Sequence, residues 1–426
     1  MNIFSTYLKL FITVIFIFQP LVSFGSEIID AELNNVLGKI ANPIFRAANL
    51  KHPKIIVINN PTPNAFTAGG EVIYIHTGLL IEFPDPEIIR GVIAHETGHI
   101  TSNHVARTRE KIHAQQKLAA TSLILGIIGA GVSGNPEAAI HGAFVGSHIA
   151  ERSILKFSRE NENSADIKAI QYLNKSGNST NGLLKLLESL RSNQRNLSDF
   201  RYDLTHPLND ERIKMLKSYS SPSPKIDDDL KLSLKMVSAK LLSHSNLNPD
   251  ISKLDPDPKI YAMSLIAMKR ADKNTAINNI DKLISKYPHN PYLYEQKAQI
   301  LTSFGDKNSL SFFTKALSLK NDTIIKIEES IAKIIFYNEK TQIQPAISHL
   351  EMNLKNFSNN ITIINFLAIG HDKINNKANS IYYRALKEKL SGKTAIAKKL
   401  ALSAKSLAGN NMQLLVKIDD ILNVDN

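Results

Sequence analysis

The sequence predicts a mostly helical α+β protein in two parts, a helix-rich domain with a small sheet followed by an α-helical, solenoid-like half, and three observations carry that prediction. Two β-branched runs, Lys54-Ile55-Ile56-Val57-Ile58 and Val72-Ile73-Tyr74-Ile75, read as strands just ahead of a helical pattern, Ile88, Ile89, Val92, Ile93 and Ile100. The Ser220-to-Lys225 run, Ser-Ser-Pro-Ser-Pro-Lys, reads as a linker. Beyond it little reads as strand, and Pro258-x-x-Tyr261 and Pro291-x-x-Tyr294 start helices 33 residues apart, close to the tetratricopeptide period of about 34.

The 426 residues exceed one ordinary domain. The expected division is a leader over 1–25, a first domain over 26–220 and a helical repeat domain over 226–426. Lys9, the apolar run Leu10 to Phe18, the Gln19-Pro20 break and Ser23-Phe24-Gly25 together read as a secretory signal peptide cleaved near Gly25. A retained anchor would want about 18 to 20 apolar residues. There are no cysteines, so any metal must be held by His, Asp or Glu. The net charge is +12, but the lysines are scattered rather than interleaved with aromatics along one stretch, which argues against nucleic-acid binding.

From Ser26 to about Ala48, Ile28, Ile29, Leu33, Val36, Leu37 and Ile40 suggest an amphipathic helix. The strand Lys54 to Ile58 follows, then Asn64-Ala65-Phe66 with Gly69-Gly70 as a turn, then the second strand. The pair is either a plain structural hairpin or the source of an edge strand that holds an extended peptide by main-chain hydrogen bonds. Asp85-Pro86-Glu87 is a helix start, Asp as N-cap and Pro at the first helical position.

That helix carries His95-Glu96-Thr97-Gly98-His99. Residues four apart share a helix face, so His95 and His99 can offer two imidazole nitrogens to one metal, with Glu96 within reach of a reacting water but not itself a ligand. This is the arrangement of a zinc peptidase, with one zinc ion per chain and Glu96 as general base. The helix is expected to continue through His104 to Lys117. His104 stands five residues past His99, off the metal-facing side, and is read as a surface or structural histidine; Ser102 and Val105 exclude the metzincin pattern.

Residues 118–150 are rich in Gly and Ala around apolar runs too short to span a bilayer. They form either a core helical hairpin or a peripheral contact with a membrane surface. Next, Ser158-Arg159-Glu160-Asn161-Glu162-Asn163-Ser164-Ala165-Asp166 leads into a helical pattern. A gluzincin-type site takes its third protein ligand from a Glu on a second helix, and Glu162 is the choice. Asp166, one turn on, is placed to hydrogen-bond a ligand histidine. Glu160 is the competitor, but four residues beyond it lies Ser164.

His-Glu-x-x-His, then Ser-Arg-x-x-Glu-x-x-Ala-Asp, preceded by Asn-Ala-Phe, Gly-Gly before a strand and Thr-Gly-Leu-Leu, resembles the zinc metallopeptidase family of the CAAX prenyl endopeptidase and HtpX proteases. With an export signal and a helical second half, the chain is most similar to the family's periplasmic, β-barrel assembly-enhancing branch. Leu204-Thr205-His206-Pro207, followed by Asp210-Glu211-Arg212, looks like the Thr-His-Pro segment that supplies a His near the metal. The resemblance implies His95, His99 and Glu162 as zinc ligands, Glu96 as base and His206 as a regulatory or transition-state residue. It also implies misassembled outer-membrane proteins as substrates and their assembly machinery as partner, docked through the repeat half. A rival expectation is an assembly chaperone whose metal is structural; an intact Glu96 argues against it.

Overall fold

The computed structural model describes residues 27–114, 158–193, 206, 210–219, 225–246, 248–357 and 359–423. The expected signal peptide, the 118–150 segment and all but the last residue of the expected Pro/Ser linker lie outside them. The described chain divides into two compact units, with the boundary between Ala262 and Met263.

In the first unit a two-residue strand β1 (Glu27–Ile28) leads into helix α1 (Ala31–Ala47). Asp30 caps α1, its side chain accepting from Leu33 N at 2.8 Å, and Leu33, Val36, Leu37, Ile40 and Ile44 form the buried stripe. Strands β2 (Lys54–Ile58), β3 (Ala65–Thr67) and β4 (Val72–His76) complete a sheet of order β1-β2-β4-β3. The two strands read from the sequence are not a hairpin: β2 and β4 run parallel, Ile56 opposite Tyr74. The segment between them doubles back, and Ala65–Thr67, expected as part of a turn, is the antiparallel edge strand, Phe66 opposite Tyr74. The reversal falls at Gly69 and Gly70, with φ of 121° and 66°, values that favour glycine.

After α2 (Thr77–Glu82) comes α3 (Pro86–Thr101), whose Ile88, Ile89, Val92 and Ile93 enter the same core. The expected continuation of α3 to Lys117 is broken: Asn103 has a φ of 54°, and a new helix, α4, runs over 104–114. Residues 158–175 form α5, and α6 (Asn181–Asn193) and α7 (Asp210–Ser218) follow. Helix α8 (Asp228–Ser245) lies beyond the linker in sequence, yet Leu230, Leu234, Val237 and Leu241 pack into the first core. The compact unit therefore reaches past residue 220 because α8 spends its apolar stripe on that core.

The boundary falls within α9 (Pro256–Lys269). The second unit continues through α10 (Lys273–Lys286), α11 (Pro291–Ser303), α12 (Ser309–Leu319), α13 (Thr323–Phe336), α14 (Lys340–Leu354), α15 (Ile361–Lys373), α16 (Lys377–Leu390), α17 (Thr394–Leu407) and α18 (Met412–Leu422). Asp272, Asn290, Asp322, Asn360, Asn376 and Asn411 cap helices here with side-chain hydrogen bonds. Each helix packs chiefly on its neighbours in sequence, the stacking a solenoid requires.

Candidate metal centre and active site

Helix α3 delivers three functional side chains because its start and its apolar face are both fixed. Asp85 accepts from Glu87 N at 2.9 Å, Pro86 occupies the first turn, and burial of the isoleucine face turns His95, Glu96 and His99 into the interior. Gly98 then lets α5 approach: a Cβ there would stand 2.6 Å from Ala165 O. That close crossing sets Glu162 and Asp166 of α5 against the two histidines.

Four side chains converge. The Nε2 atoms of His95 and His99 are 3.1 Å apart. Glu162 puts Oε2 3.3 Å from His95 Nε2 and Oε1 3.3 Å from His99 Nε2. His206, from the segment before α7, brings Nδ1 to 3.1 Å from Glu162 Oε2 and 3.3 Å from His95 Nε2. One donor atom from each of the four lies within 4.8 Å of the others, and all four residues are buried. Lone pairs of buried imidazoles and a carboxylate do not face one another at this range without a cation or protons between them, so the donor set fits one divalent metal ion. Glu160, the rival to Glu162, is exposed.

Glu96 stands beside the cluster without joining it. It is fully buried, and neither carboxylate oxygen has a hydrogen-bond partner among the described residues; His206 Nε2 stands 3.3 Å from Oε1. A buried carboxylate left open on the metal side is what a proton-accepting base requires.

The supporting layer contains the expected residue and two others. His95 Nδ1 donates to Asp166 Oδ1 at 2.8 Å, which fixes the tautomer that leaves Nε2 free to ligate. Arg212 of α7, fully buried, donates from Nε to Asp166 Oδ2 at 2.7 Å and from Nη2 to Oδ1 at 3.0 Å, and its Nη1 lies 3.1 Å from Glu162 Oε2. In the sequence Arg212 stood only as part of an Asp-Glu-Arg run; no local pattern marks it as a buried partner. His104 is not at the surface. It is 2% exposed, and its Nδ1 is 3.0 Å from His99 Nδ1.

Electrostatics follow these contacts. Burial pulls the His95 imidazole pKa down, but its hydrogen bonds to the Asp166 and Glu162 carboxylates outweigh this and raise it to about 10. For His99 burial prevails and the pKa falls. His104 is lowered to about 4, by burial first and by the neighbouring His99 next. Glu162 and Asp166 are both held below the ordinary carboxylate range despite burial, Glu162 chiefly by His206 and Asp166 chiefly by Arg212.

The site opens on a cleft of about 440 Å³ whose walls include Phe66 and Thr67 of β3, Val105 and Ile112 of α4, and His104. Asn64 O accepts from His76 N at 2.9 Å, so strand alternation points the Ala65 carbonyl off the sheet edge, where His206 Nε2 lies 3.3 Å away.

A helix-borne His-Glu-x-x-His pair, a buried Glu from a second helix and an unpartnered buried base define a metallopeptidase. The comparisons agree with that class. Residues 30–220 match the model described as Peptidase family M48, and the protein is a metalloendopeptidase. The Beta-barrel assembly-enhancing protease of Yersinia pestis is 25% identical over 339 residues, 75% of this chain and 68% of that protein. The Putative beta-barrel assembly-enhancing protease of Vibrio cholerae is 24% identical over 299 residues, 64% of this chain and 58% of that protein. Metalloprotease YcaL of Escherichia coli is 27% identical over 186 residues, 42% of this chain and 67% of that protein. No helix among the described residues is long and apolar enough to cross a membrane.

Proposed function

We propose that this chain is a zinc endopeptidase of the periplasm that removes misassembled outer-membrane proteins, with residues 1–25 as its cleavable signal peptide, a peptidase domain that begins at residue 26, and the helical array from Met263 onward docking substrates or assembly components. The observation that carries the catalytic reading is the His95, His99, Glu162 and His206 cluster beside an unpartnered Glu96. A tetrahedral zinc with bonds near 2.0–2.1 Å spaces its donors about 3.3 Å apart, against the 3.1–3.3 Å contacts from His95 to His99, Glu162 and His206. The relatives' names support the outer-membrane context.

Zinc held by His95, His99 and Glu162 would polarise the scissile carbonyl and make the attacking water acidic. Glu96 takes that water's proton on a carboxylate oxygen and later delivers it to the leaving amine. Asp166, itself gripped by Arg212, keeps the proton of His95 on Nδ1. The outer edge of β3 offers main-chain groups such as the Ala65 carbonyl to an extended substrate, which requires no particular side-chain sequence. His206 occupies both places at once, Nδ1 among the ligands and Nε2 donating to Ala65 O, and this double occupancy favours an inhibitory switch over a transition-state donor.

The test is to express the protein with a β-barrel precursor stalled in assembly. The wild type should clear the precursor, and Glu96→Gln should accumulate it and co-purify with it. Equal clearance by both would defeat the proposal.

A further inference from the structure

His99 Nε2 faces the other ligands, so in a neutral imidazole that ligates through Nε2 the remaining hydrogen sits on Nδ1. The atom opposite is His104 Nδ1, at 3.0 Å. It can only accept, and a neutral His104 that accepts at Nδ1 carries its own hydrogen on Nε2. That second nitrogen is buried and has no partner among the described residues, while the ring lines the substrate cleft beside Val105. The two ligand histidines are therefore supported unequally. His95 has a carboxylate locked by a guanidinium, and His99 has a neutral imidazole whose far side is uncommitted.

The geometry points to His104 as a positioning residue with two contacts: its Nδ1 accepts from His99 and holds that ligand's tautomer and orientation, and its Nε2–H donates to an acceptor of the bound substrate, a main-chain carbonyl of the peptide in the cleft. This rests on the metal-centre reading above. A buried donor left unsatisfied is costly, and a peptide laid along the cleft supplies carbonyl oxygens at every residue. Substrate binding is then felt directly at a metal ligand. The fold arranges this through Asn103, whose left-handed backbone ends α3 and swings His104 under His99; on a continuous helix an offset of five residues would turn it away.

Two substitutions separate the contacts, because the Asn side-chain oxygen mimics Nδ1 of histidine and the Gln side-chain nitrogen mimics Nε2. The full-length protein is prepared as wild type, His104→Asn, His104→Gln and His104→Leu. Zinc affinity is measured by competition with a chromogenic chelator, and KM and kcat by hydrolysis of labelled casein at saturating zinc. His104→Asn should keep wild-type zinc affinity and raise KM by about tenfold, the equivalent of one hydrogen bond, with kcat little changed. His104→Gln should weaken zinc by about 10- to 100-fold and keep KM near wild type. His104→Leu should show both defects. Asparagine weakening zinc as much as leucine would overturn the contact to His99, and an unchanged KM in His104→Asn would overturn the contact to substrate. Three variants with the same defects would mark His104 as packing only. Wild type that binds no zinc would instead reject the metal centre itself.

Discussion

Arg212 and Asp166 form a two-bond pair in the deepest part of the site, Nε to Oδ2 at 2.7 Å and Nη2 to Oδ1 at 3.0 Å, with both side chains fully buried. The guanidinium also lies 3.1 Å from Glu162, so one cation lies against two carboxylates that are buried away from water. Removing one partner of such a pair costs roughly 3–5 kcal/mol. Arg212→Met should lower stability by that order and weaken metal binding, whereas Arg212→Lys, which keeps the charge but not the planar fork, should recover only part of each. Thermal melting and metal titration of the two variants check this; a melting temperature unchanged in Arg212→Met contradicts it.

The crossing of α3 and α5 depends on the absence of one methyl group. A Cβ on Gly98 would meet Ala165 O at 2.6 Å, and backbone cannot rotate aside. Gly98→Ala should cost about 1–3 kcal/mol, the usual range for overpacking, and should lower metal affinity by displacing Glu162. A control such as Gly69→Ala, where φ is unfavourable but the space is open, should lose stability without touching metal affinity. Equal metal affinity in wild type and Gly98→Ala would show that the crossing does not position the third ligand.

Loss of His206 should release activity. The switch reading expects His206→Ala to retain its metal and hydrolyse casein faster than wild type, since both the ligand cluster and the Ala65 carbonyl are vacated. An oxyanion donor would behave oppositely, losing about 10²-fold in turnover. Casein hydrolysis at equal metal occupancy decides between them, and slower hydrolysis rejects the switch.

The pH dependence of the metal-free protein has two limbs. Glu162 and Asp166 have depressed pKa values in the fold, so their stabilisation is present above the unfolded carboxylate range near ~4 and is lost as pH falls below it. His95 is raised to about 10, so its contribution is complete below the unfolded value near ~6.5 and disappears as pH rises through the folded one. Chelator-treated protein should therefore melt highest around pH ~5–6, and the alkaline decline should flatten in Asp166→Asn, which removes a main support of the raised value. An alkaline limb identical in the two proteins contradicts the assignment.

What the sequence made legible was local. Four-residue spacing on a helix is enough to pair His95 with His99, and the same spacing relates Glu162 to Asp166, so the geometry brings together His95, Glu96, His99, Glu162, Asp166 and His206 as a set. What was hidden depended on breaks or on distant packing. Helical spacing leaves His104 as a surface or structural histidine, and its contact with His99 is hidden because the left-handed Asn103 cancels helical phase. Ala65–Thr67 looked like a turn because three residues between turn-formers carry no strand period, yet they are the edge strand. Arg212 sits on a charged helix with no local reason to be buried; only the arrival of α7 over α5 makes it the counter-ion. Helix α8 follows the Pro/Ser run yet joins the first core, because such a run marks composition, not which core the next apolar stripe joins.

The central claim, that His95, His99 and Glu162 hold one catalytic ion served by Glu96, is tested most directly by metal content across single variants of the purified protein. The account predicts one zinc per chain in wild type and in Glu96→Gln, with Glu96→Gln inactive on casein, and loss of stoichiometric zinc in His95→Ala, His99→Ala and Glu162→Ala. Full zinc in Glu162→Ala, with loss in Glu160→Ala, would contradict it.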